Sequence, residues 1–169
     1  RSAIGEFGGS RVASRANTAD EKLLAGPKPA EYFDMFEGLL LPGDGVIVDV
    51  GAHIGTFSLA AARLVPRGCV WAIEAELESC TLVEVNLALN GLQNVRPLRL
   101  ALADSNGTVM LHYAPGTWGH STVARRGAGG EVVPAATLEH FLDQNEIDTV
   151  DFGKFNVEGA EFPILLLSP

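Results

Sequence analysis

The sequence is poor in cysteine, in basic residues and in long apolar runs. Its two cysteines, Cys69 and Cys80, lie among apolar residues and form no CxxC or histidine-rich pattern. Neither a disulfide framework nor a zinc site is therefore indicated, and no metal ligand is predicted. We expect both side chains to be reduced, buried thiols, because cysteine is among the residue types most often buried.

Basic residues are scarce relative to acidic ones, with 12 Lys and Arg against 21 Asp and Glu and a formal net charge of -9 at pH 7. Because a phosphate backbone is held mainly by clustered Lys and Arg, this balance argues against a nucleic-acid partner. No apolar run approaches the roughly 18 to 20 residues that a membrane span needs. We therefore expect a soluble, cytoplasmic protein.

The 169 residues fit one domain, with 47% hydrophobic and 20% charged residues as in ordinary globular proteins. The first stretch, RSAIGEFGGSR, is rich in glycine and serine and has no apolar core of signal-peptide length. We expect residues 1–18 to be a flexible tail or a cloning remnant, and residues 19–169 to form the functional domain. Helical spacing over residues 20–41, interrupted by GPKP, predicts a helical cap before the first strand.

The rest of the chain alternates between strand and helix patterns. Core strands are predicted at VIVDV (46–50), CVWAIE (69–74), VRPLRLALAD (95–104) and TVDFGKFNV (149–157), and helices at 56–65, 78–91 and 137–147. GTVMLHY and EVVP, before the helix at 137–147, predict an inserted hairpin, and EGAEFPILLL after the fourth core strand predicts the beginning of another helix. This alternation favours an α/β fold with a mostly parallel sheet and helices on both faces.

A glycine-containing loop follows the first core strand, with Asp49, Gly51 and Gly55 in sequence. Such a loop points the first N–H groups of the next helix at the crevice where parallel α/β folds hold ligands. The glycines would let a cofactor approach the backbone closely. They are equally expected in a tight turn that serves helix packing, with Asp49 bonded only to the backbone.

Glu74 ends the second strand, 25 residues after Asp49, close to the offset of about 20 at which an acid takes ribose hydroxyls. The loop lacks the middle glycine of the dinucleotide fingerprint, which lets a pyrophosphate lie on the backbone. A cofactor without pyrophosphate, such as S-adenosylmethionine, fits better, since acidic side chains favour its cationic groups. A nicotinamide-dependent oxidoreductase is the disfavoured alternative.

Five blocks in this order, VIVDVGAHIGTFSLAAA, VWAIEAE, LALADSNGTVMLH, ATLEHFL and VDFGKFNVEGAE, resemble the FkbM family of S-adenosylmethionine-dependent methyltransferases. The resemblance covers roughly residues 40 to 166. It implies a Rossmann-like class I methyltransferase fold, S-adenosyl-L-methionine as cofactor and O-methylation of a hydroxyl on a sugar or natural-product scaffold. The implied partner is a small hydroxylated acceptor, and a homo-oligomer is left open.

The resemblance also implies roles for individual residues. The cofactor loop is matched by Asp49, Gly51, Ala52, His53 and Gly55, the ribose acid by Glu74, and the adenine region by Ala103 and Asp104. The family more often has Asn at the place of His53. At the fourth strand, its pattern resembles Lys-x-Asp-x-Glu-Gly, and here Asn156 replaces the aspartate, which keeps the hydrogen-bonding shape but removes the charge and the basicity.

The candidate catalytic residues are His120, Asn156 and Glu158, and Lys154 is a candidate ion-pair partner of Glu158. A class I methyltransferase sheet normally has seven strands. The strand patterns of this sequence end after the fourth core strand, so we expect an incomplete sheet. Two functions stay open on these grounds: an active methyltransferase, and a non-catalytic module that binds the cofactor or a partner.

Overall fold

The computed structural model describes residues 2–25, 40–113, 120–123 and 129–167. The strands are β1 (Ser2–Phe7), β2 (Ser10–Arg15), β3 (Val46–Val50), β4 (Cys69–Glu74), β5 (Val95–Arg99), β6 (Ala101–Leu102), β7 (Gly107–His112), β8 (Gly130–Ala136) and β9 (Phe152–Phe155). The helices are α1 (Ala19–Ala25), α2 (Thr56–Leu64), α3 (Leu77–Asn90) and α4 (Leu138–Gln144), followed by a π-helical turn at Pro163–Leu167. Most of the predicted helical cap falls on residues 26–39, outside the described residues.

The central sheet is parallel, with strand order β5-β4-β3-β9. Successive side chains of β3 point to opposite faces, and each face is covered by helix. Ile47 joins one core with Phe57 of α2, whereas Val48 and Val50 join another with Phe141 of α4. The prediction of a parallel α/β sheet with helices on both faces is confirmed.

The predicted third strand divides into two pieces that belong to different sheets. β5 is an edge strand of the central sheet, where Pro97 is tolerated because an edge residue can lack the N–H donor. The chain then leaves this sheet at Leu100, and β6 pairs with β8 in a second sheet of order β6-β8-β7. In that sheet β7 and β8 are antiparallel, as expected for the inserted hairpin.

The first residues form a β-hairpin, so the expectation of a flexible tail is wrong for this part of the chain. β1 and β2 pair in antiparallel register around Gly8 and Gly9, whose positive φ angles of 55° and 73° suit a type I′ turn. Phe7 and Val12 are buried in the core that α2 and α3 share. Of the three glycines that indicated a linker, Gly8 and Gly9 are turn residues and Gly5 lies in β1.

The hairpin is fastened to helix α3 through a side-chain amide. Asn86 Oδ1 accepts the N–H of Ala13 at 2.6 Å, and Asn86 Nδ2 donates to the carbonyl oxygens of Ala13 at 3.1 Å and Ile54 at 2.8 Å. One buried amide therefore ties β2 both to α3 and to the loop after β3.

None of the helices in the described ranges is long and apolar enough to span a bilayer.

Candidate functional site

A cleft opens at the carboxyl ends of β3, β4 and β9. Its walls come from the loop after β3, the end of β4, the crossing from β5 to β6, residues 120–122 and the turn after β9. The predicted site residues that line it are Gly51, His53, Glu74, His120, Asn156 and Glu158. The fold thus gathers these residues from segments that are far apart in the sequence.

Glu74 ends β4 with its carboxylate held by two backbone amides. Oε2 accepts from the N–H of His53 at 2.7 Å, and Oε1 accepts from the N–H of Glu76 at 2.9 Å. Burial raises the pKa of Glu74 above its ordinary value, although both amides favour the charged form. The two amides fix the orientation of the carboxylate. Because each carboxylate oxygen has two lone pairs, the group can still accept hydrogen bonds from a ligand.

The loop after β3 uses its own N–H groups inside the protein. Those of Gly51 and Ala52 donate to the carbonyl oxygen of Ile73, at 2.9 and 3.0 Å, and that of His53 goes to Glu74. These three loop amides are therefore not free for a ligand. Of the three, only the His53 amide acts on the cleft wall directly, because it orients the Glu74 carboxylate.

The two loop glycines are required by the protein's own packing. Gly51 has φ of 74°, and a Cβ there would collide with the backbone carbonyl oxygen of Asn156. Gly55 has φ of 85°, and a Cβ there would lie 3.3 Å from Val83. The packing interpretation of these glycines holds, and the close approach at Gly51 also brings the turn after β9 onto the cleft.

Asp49, on β3, is fully buried and does not line the cleft. Its Oδ2 accepts from Ser58 Oγ at 2.6 Å, and its Oδ1 accepts from Lys154 Nζ at 2.8 Å; Lys154 also donates to the carbonyl oxygen of Gly51 at 2.9 Å. Asp49 therefore braces β3, α2 and β9. The candidate pairing of Lys154 with Glu158 is wrong, because β9 ends before Glu158 and strand alternation does not carry the two side chains together.

His53 connects the loop to the N-terminal hairpin. Its φ of 54° is in the left-handed region, and its Nε2 lies 3.0 Å from Asp20 Oδ1 and 3.3 Å from Arg15 Nη2. Burial alone would raise the pKa of Asp20, but hydrogen bonds from His53 and Arg15 outweigh it and hold that pKa well below its usual range. Arg15 and Asp20 carried no sequence signal, since Arg15 fell in the segment expected to be a tail.

Arg15 extends the same network to helix α3. Its guanidinium donates to Glu76 Oε2 at 3.1 Å and to Ser79 Oγ at 2.9 Å, and Ser79 lines the cleft. Glu76 in turn caps α3 by accepting the N–H groups of Glu78 and Ser79. The buried guanidinium therefore stands directly behind two elements of the cleft wall.

Another part of the cleft wall is held by Ser121, which sequence reasoning missed. Its buried Oγ donates to the carbonyl oxygen of Glu158 at 3.0 Å, where the backbone is left-handed with φ of 55°. Glu161 fixes the same turn from the other side by accepting the N–H groups of Val157 and Gly159. The neighbouring His120 is half-buried, with its ring 5.2 Å from that of Tyr113.

Residues 49–167 match the sequence model of the methyltransferase FkbM domain. The chain belongs to the FkbM methyltransferase family. The cofactor of this family is S-adenosyl-L-methionine.

Curated relatives of this FkbM chain include two fungal methyltransferases. The chain is 32% identical to methyltransferase sdnD of Sordaria araneosa, with 74% of this chain and 61% of the relative covered. It is 24% identical to methyltransferase 1 of Beauveria bassiana, with 73% of this chain and 58% of the relative covered. The chain thus spans about three fifths of the length of these relatives.

Among solved structures, the chain is similar to the methyltransferase FkbM from Methylobacillus flagellatus KT. The TM-score is 0.54 at 17% sequence identity, and the match covers 86% of this chain and 36% of that one. At this identity the likeness concerns the fold, which agrees with the Rossmann-like sheet described above.

The adenine region of the FkbM pattern fits the structure least well. The Ala103 N–H donates to the carbonyl oxygen of Ala136 at 2.9 Å, and exposed Asp104 accepts from Ser105 Oγ at 3.1 Å. Neither residue lines the cleft, whose wall is formed instead by Leu100 and Leu102. The reason is the crossing between sheets, which ends the central strand earlier than its apolar pattern indicated.

The donor set of the cleft suits an organic cofactor with hydroxyl groups. Among the described residues, no group of three or more His, Cys, Asp and Glu side chains is placed to hold a metal ion. The oriented Glu74 carboxylate accepts hydrogen bonds, and the leucines beside it offer an apolar surface. The residues present therefore fit a ribose with an attached apolar ring.

Proposed function

We propose that this protein is an S-adenosylmethionine-dependent O-methyltransferase whose acceptor is a hydroxyl on a sugar or a natural-product-like small molecule. The observation that carries the proposal is the Glu74 carboxylate, which two backbone amides hold at the cleft wall. A prearranged acceptor of this kind binds vicinal hydroxyls without first having to be ordered. Family membership supports methyl transfer as the reaction class.

In this proposal Glu74 holds the ribose hydroxyls, and Leu100 and Leu102 flank the adenine. Gly51 leaves the cleft wall free of a side chain, and Asn156 offers an amide oxygen to the amino group of the methionine part. The bound cofactor supplies an electrophilic methyl group on a sulfonium. The protein's remaining task is to exclude water and align the acceptor oxygen, which accounts for much of the catalysis in a displacement of this type.

The acceptor hydroxyl must also lose its proton. His120 and Glu158 both line the cleft, and either side chain can accept a proton there. The backbone position of Glu158 is fixed, because its own carbonyl oxygen accepts a hydrogen bond from Ser121 Oγ. We assign the base to this pair, whereas Asn156 can only orient the hydroxyl because an amide has no useful basicity.

A second candidate is a non-catalytic module that binds the cofactor without transferring its methyl group. Asn156 favours it, because this residue lies on the cleft wall at the place where the family pattern has an aspartate. If the aspartate is what aligns or deprotonates the acceptor, the substitution leaves binding intact and abolishes turnover.

Cofactor binding is tested by titrating S-adenosylmethionine and its demethylated product into the protein in a calorimeter. We expect saturable binding that Glu74→Ala weakens by about a hundredfold, near the upper end of the loss expected when a hydrogen-bonded charged group is removed. Glu139→Ala is the matched control, since Glu139 is an exposed acid on α4. Absence of binding by the folded full-length protein would overturn the proposal.

Turnover separates the two candidates. Methyl incorporation from labelled cofactor is measured on a panel of sugars and hydroxylated natural products, and the product bond is assigned by mass spectrometry. His120→Ala and Glu158→Gln should each retain cofactor binding, and the variant that removes the base should lower kcat by about a hundredfold or more. Binding without turnover on any acceptor would instead support the non-catalytic module.

A further inference from the structure

The strongest feature outside the assigned site is a buried network that joins the N-terminal hairpin to the cofactor loop. Arg15 ends β2, and Asp20 lies in the first turn of α1. The Arg15 N–H and Nε both donate to Asp20 Oδ2 at 2.9 Å, and the same carboxylate holds His53 through Oδ1 at 3.0 Å. The Asp20 side chain is fully buried, and those of Arg15 and His53 are 9% and 18% exposed.

His53 converts this side-chain contact into an effect on the cleft. A non-glycine residue rarely adopts a left-handed backbone, and such a conformation persists when its surroundings hold it. Here the side chain of His53 is held by Asp20, which Arg15 holds in turn, and the backbone N–H of His53 donates to Glu74 Oε2 at 2.7 Å. The orientation of the Glu74 carboxylate therefore depends on a residue that the N-terminal segment holds in place.

We propose that Arg15 and Asp20 are positioning residues that act through His53 to orient the Glu74 carboxylate for the cofactor. Neither lines the cleft, so neither is expected to touch the cofactor itself. The N-terminal hairpin and α1 then support the cofactor site from behind its wall, although they precede the matched family domain. The binding readout of this inference rests on the proposed function, whereas the exchange readout below does not.

A purely structural role is the competing explanation, because Arg15 also contacts Glu76 and Ser79 on α3. Arg63 provides the matched control. Its guanidinium docks the other end of the same hairpin, with Nη1 donating to Gly8 O at 3.0 Å and Nη2 to Ser10 Oγ at 2.8 Å. Arg63→Ala therefore loosens the hairpin without touching the contacts of His53.

The decisive binding experiment is a double-mutant cycle of Asp20→Asn and His53→Asn. Asparagine tolerates a left-handed backbone but has a shorter side chain than histidine, so His53→Asn removes the reach to Asp20. With His53 present, Asp20→Asn should weaken S-adenosylmethionine binding about tenfold, within the range for residues coupled in one network. With Asn at position 53, the same change should have an effect below about twofold.

Equal weakening in both backgrounds would overturn the proposal, and so would equal weakening by Arg63→Ala. If Asp20→Asn does not fold, Arg15→Lys replaces it in the cycle, because lysine keeps the charge but loses the bidentate geometry. The same two outcomes then decide.

Hydrogen exchange of the His53 amide tests the network without any cofactor. Asp20→Asn should speed exchange at this amide at least fivefold beyond any change in exchange through global unfolding, because the hydrogen bond from the His53 N–H to Glu74 opens more often. Arg63→Ala should not have this effect. Failure of wild-type protein to bind the cofactor would remove the proposed function and leave this arm intact. Unchanged exchange at His53 in a folded Asp20→Asn protein would refute the positioning role.

Discussion

Replacing Lys154 by methionine should destabilise the protein strongly, because it leaves the buried Asp49 carboxylate without its counter-charge. Asp49 is fully buried and holds Lys154 Nζ at 2.8 Å, while the lysine side chain is 13% exposed. After the change, the Asp49 carboxylate retains the Ser58 hydroxyl at 2.6 Å but loses its counter-charge, and the carbonyl oxygen of Gly51 loses a donor. Removing one partner of a buried pair typically costs about 3 to 5 kcal/mol.

For a chain of this length, each kcal/mol lowers Tm by about 2 to 4 °C, so we expect Lys154→Met to lower Tm by roughly 6 to 20 °C. Urea unfolding followed by circular dichroism gives the free energy of unfolding directly. Glu158→Gln is the control, because Glu158 is exposed, and it should stay within about 0.5 kcal/mol of the wild type.

The double variant Asp49→Asn/Lys154→Met tests the mechanism. With a neutral Asn at position 49, the double variant buries no unpaired charge. Its free energy of unfolding should therefore be at least about 1 kcal/mol higher than that of Lys154→Met alone. A loss below about 1 kcal/mol for Lys154→Met, or a double variant less stable than the single one, would show that the carboxylate finds another partner and that this reasoning is wrong.

Three further predictions concern other parts of the molecule. The pKa of Asp20 lies below its ordinary value, so the stability that this carboxylate contributes is present above about pH 4 and is lost as the pH falls further. Asp20→Asn should therefore reduce the fall of the urea unfolding midpoint between about pH 5 and pH 3, and an unchanged fall would contradict this. Gly51→Ala should destabilise by at least about 2 kcal/mol more than Gly91→Ala, because both have positive φ but only the first would meet the Asn156 carbonyl; equal losses in urea unfolding would exclude the clash. Burial raises the pKa of the Cys80 thiol to about 11, so a thiol reagent at pH 8 should modify it only on unfolding, and rapid reaction in the folded protein would show that the site opens.

Local sequence patterns predicted most of the elements that surround the site. β3, β4, α2, α3 and α4 have bounds within three residues of those expected, because apolar period, helix breakers and caps are local properties. Thr137 illustrates this, since its hydroxyl accepts the His140 N–H at 3.1 Å as an N-cap should. The cleft position of Glu74 also followed from the sequence, because parallel strands end at one edge of a sheet.

Non-local partners explain the predictions that were wrong. Lys154 pairs with Asp49 across two adjacent strands, a contact fixed by the register of β3 with β9 rather than by spacing along one strand. The wall that Ala103 was expected to form is made by Leu100 and Leu102, because β6 joins a different sheet.

The sequence by itself determined the parallel α/β class, the cofactor family and the strand-end acid, since each depends on residue type and order within short segments. Tertiary structure alone decided that the first residues are a packed hairpin and that Arg15 and Asp20 reach His53. These contacts join residues more than thirty positions apart, and they depend on the burial of Phe7 and Val12 against α2 and α3 and on the Asn86 amide that ties β2 to α3. A charged side chain in a glycine-rich stretch reveals its partner only when the fold supplies the surface that buries it.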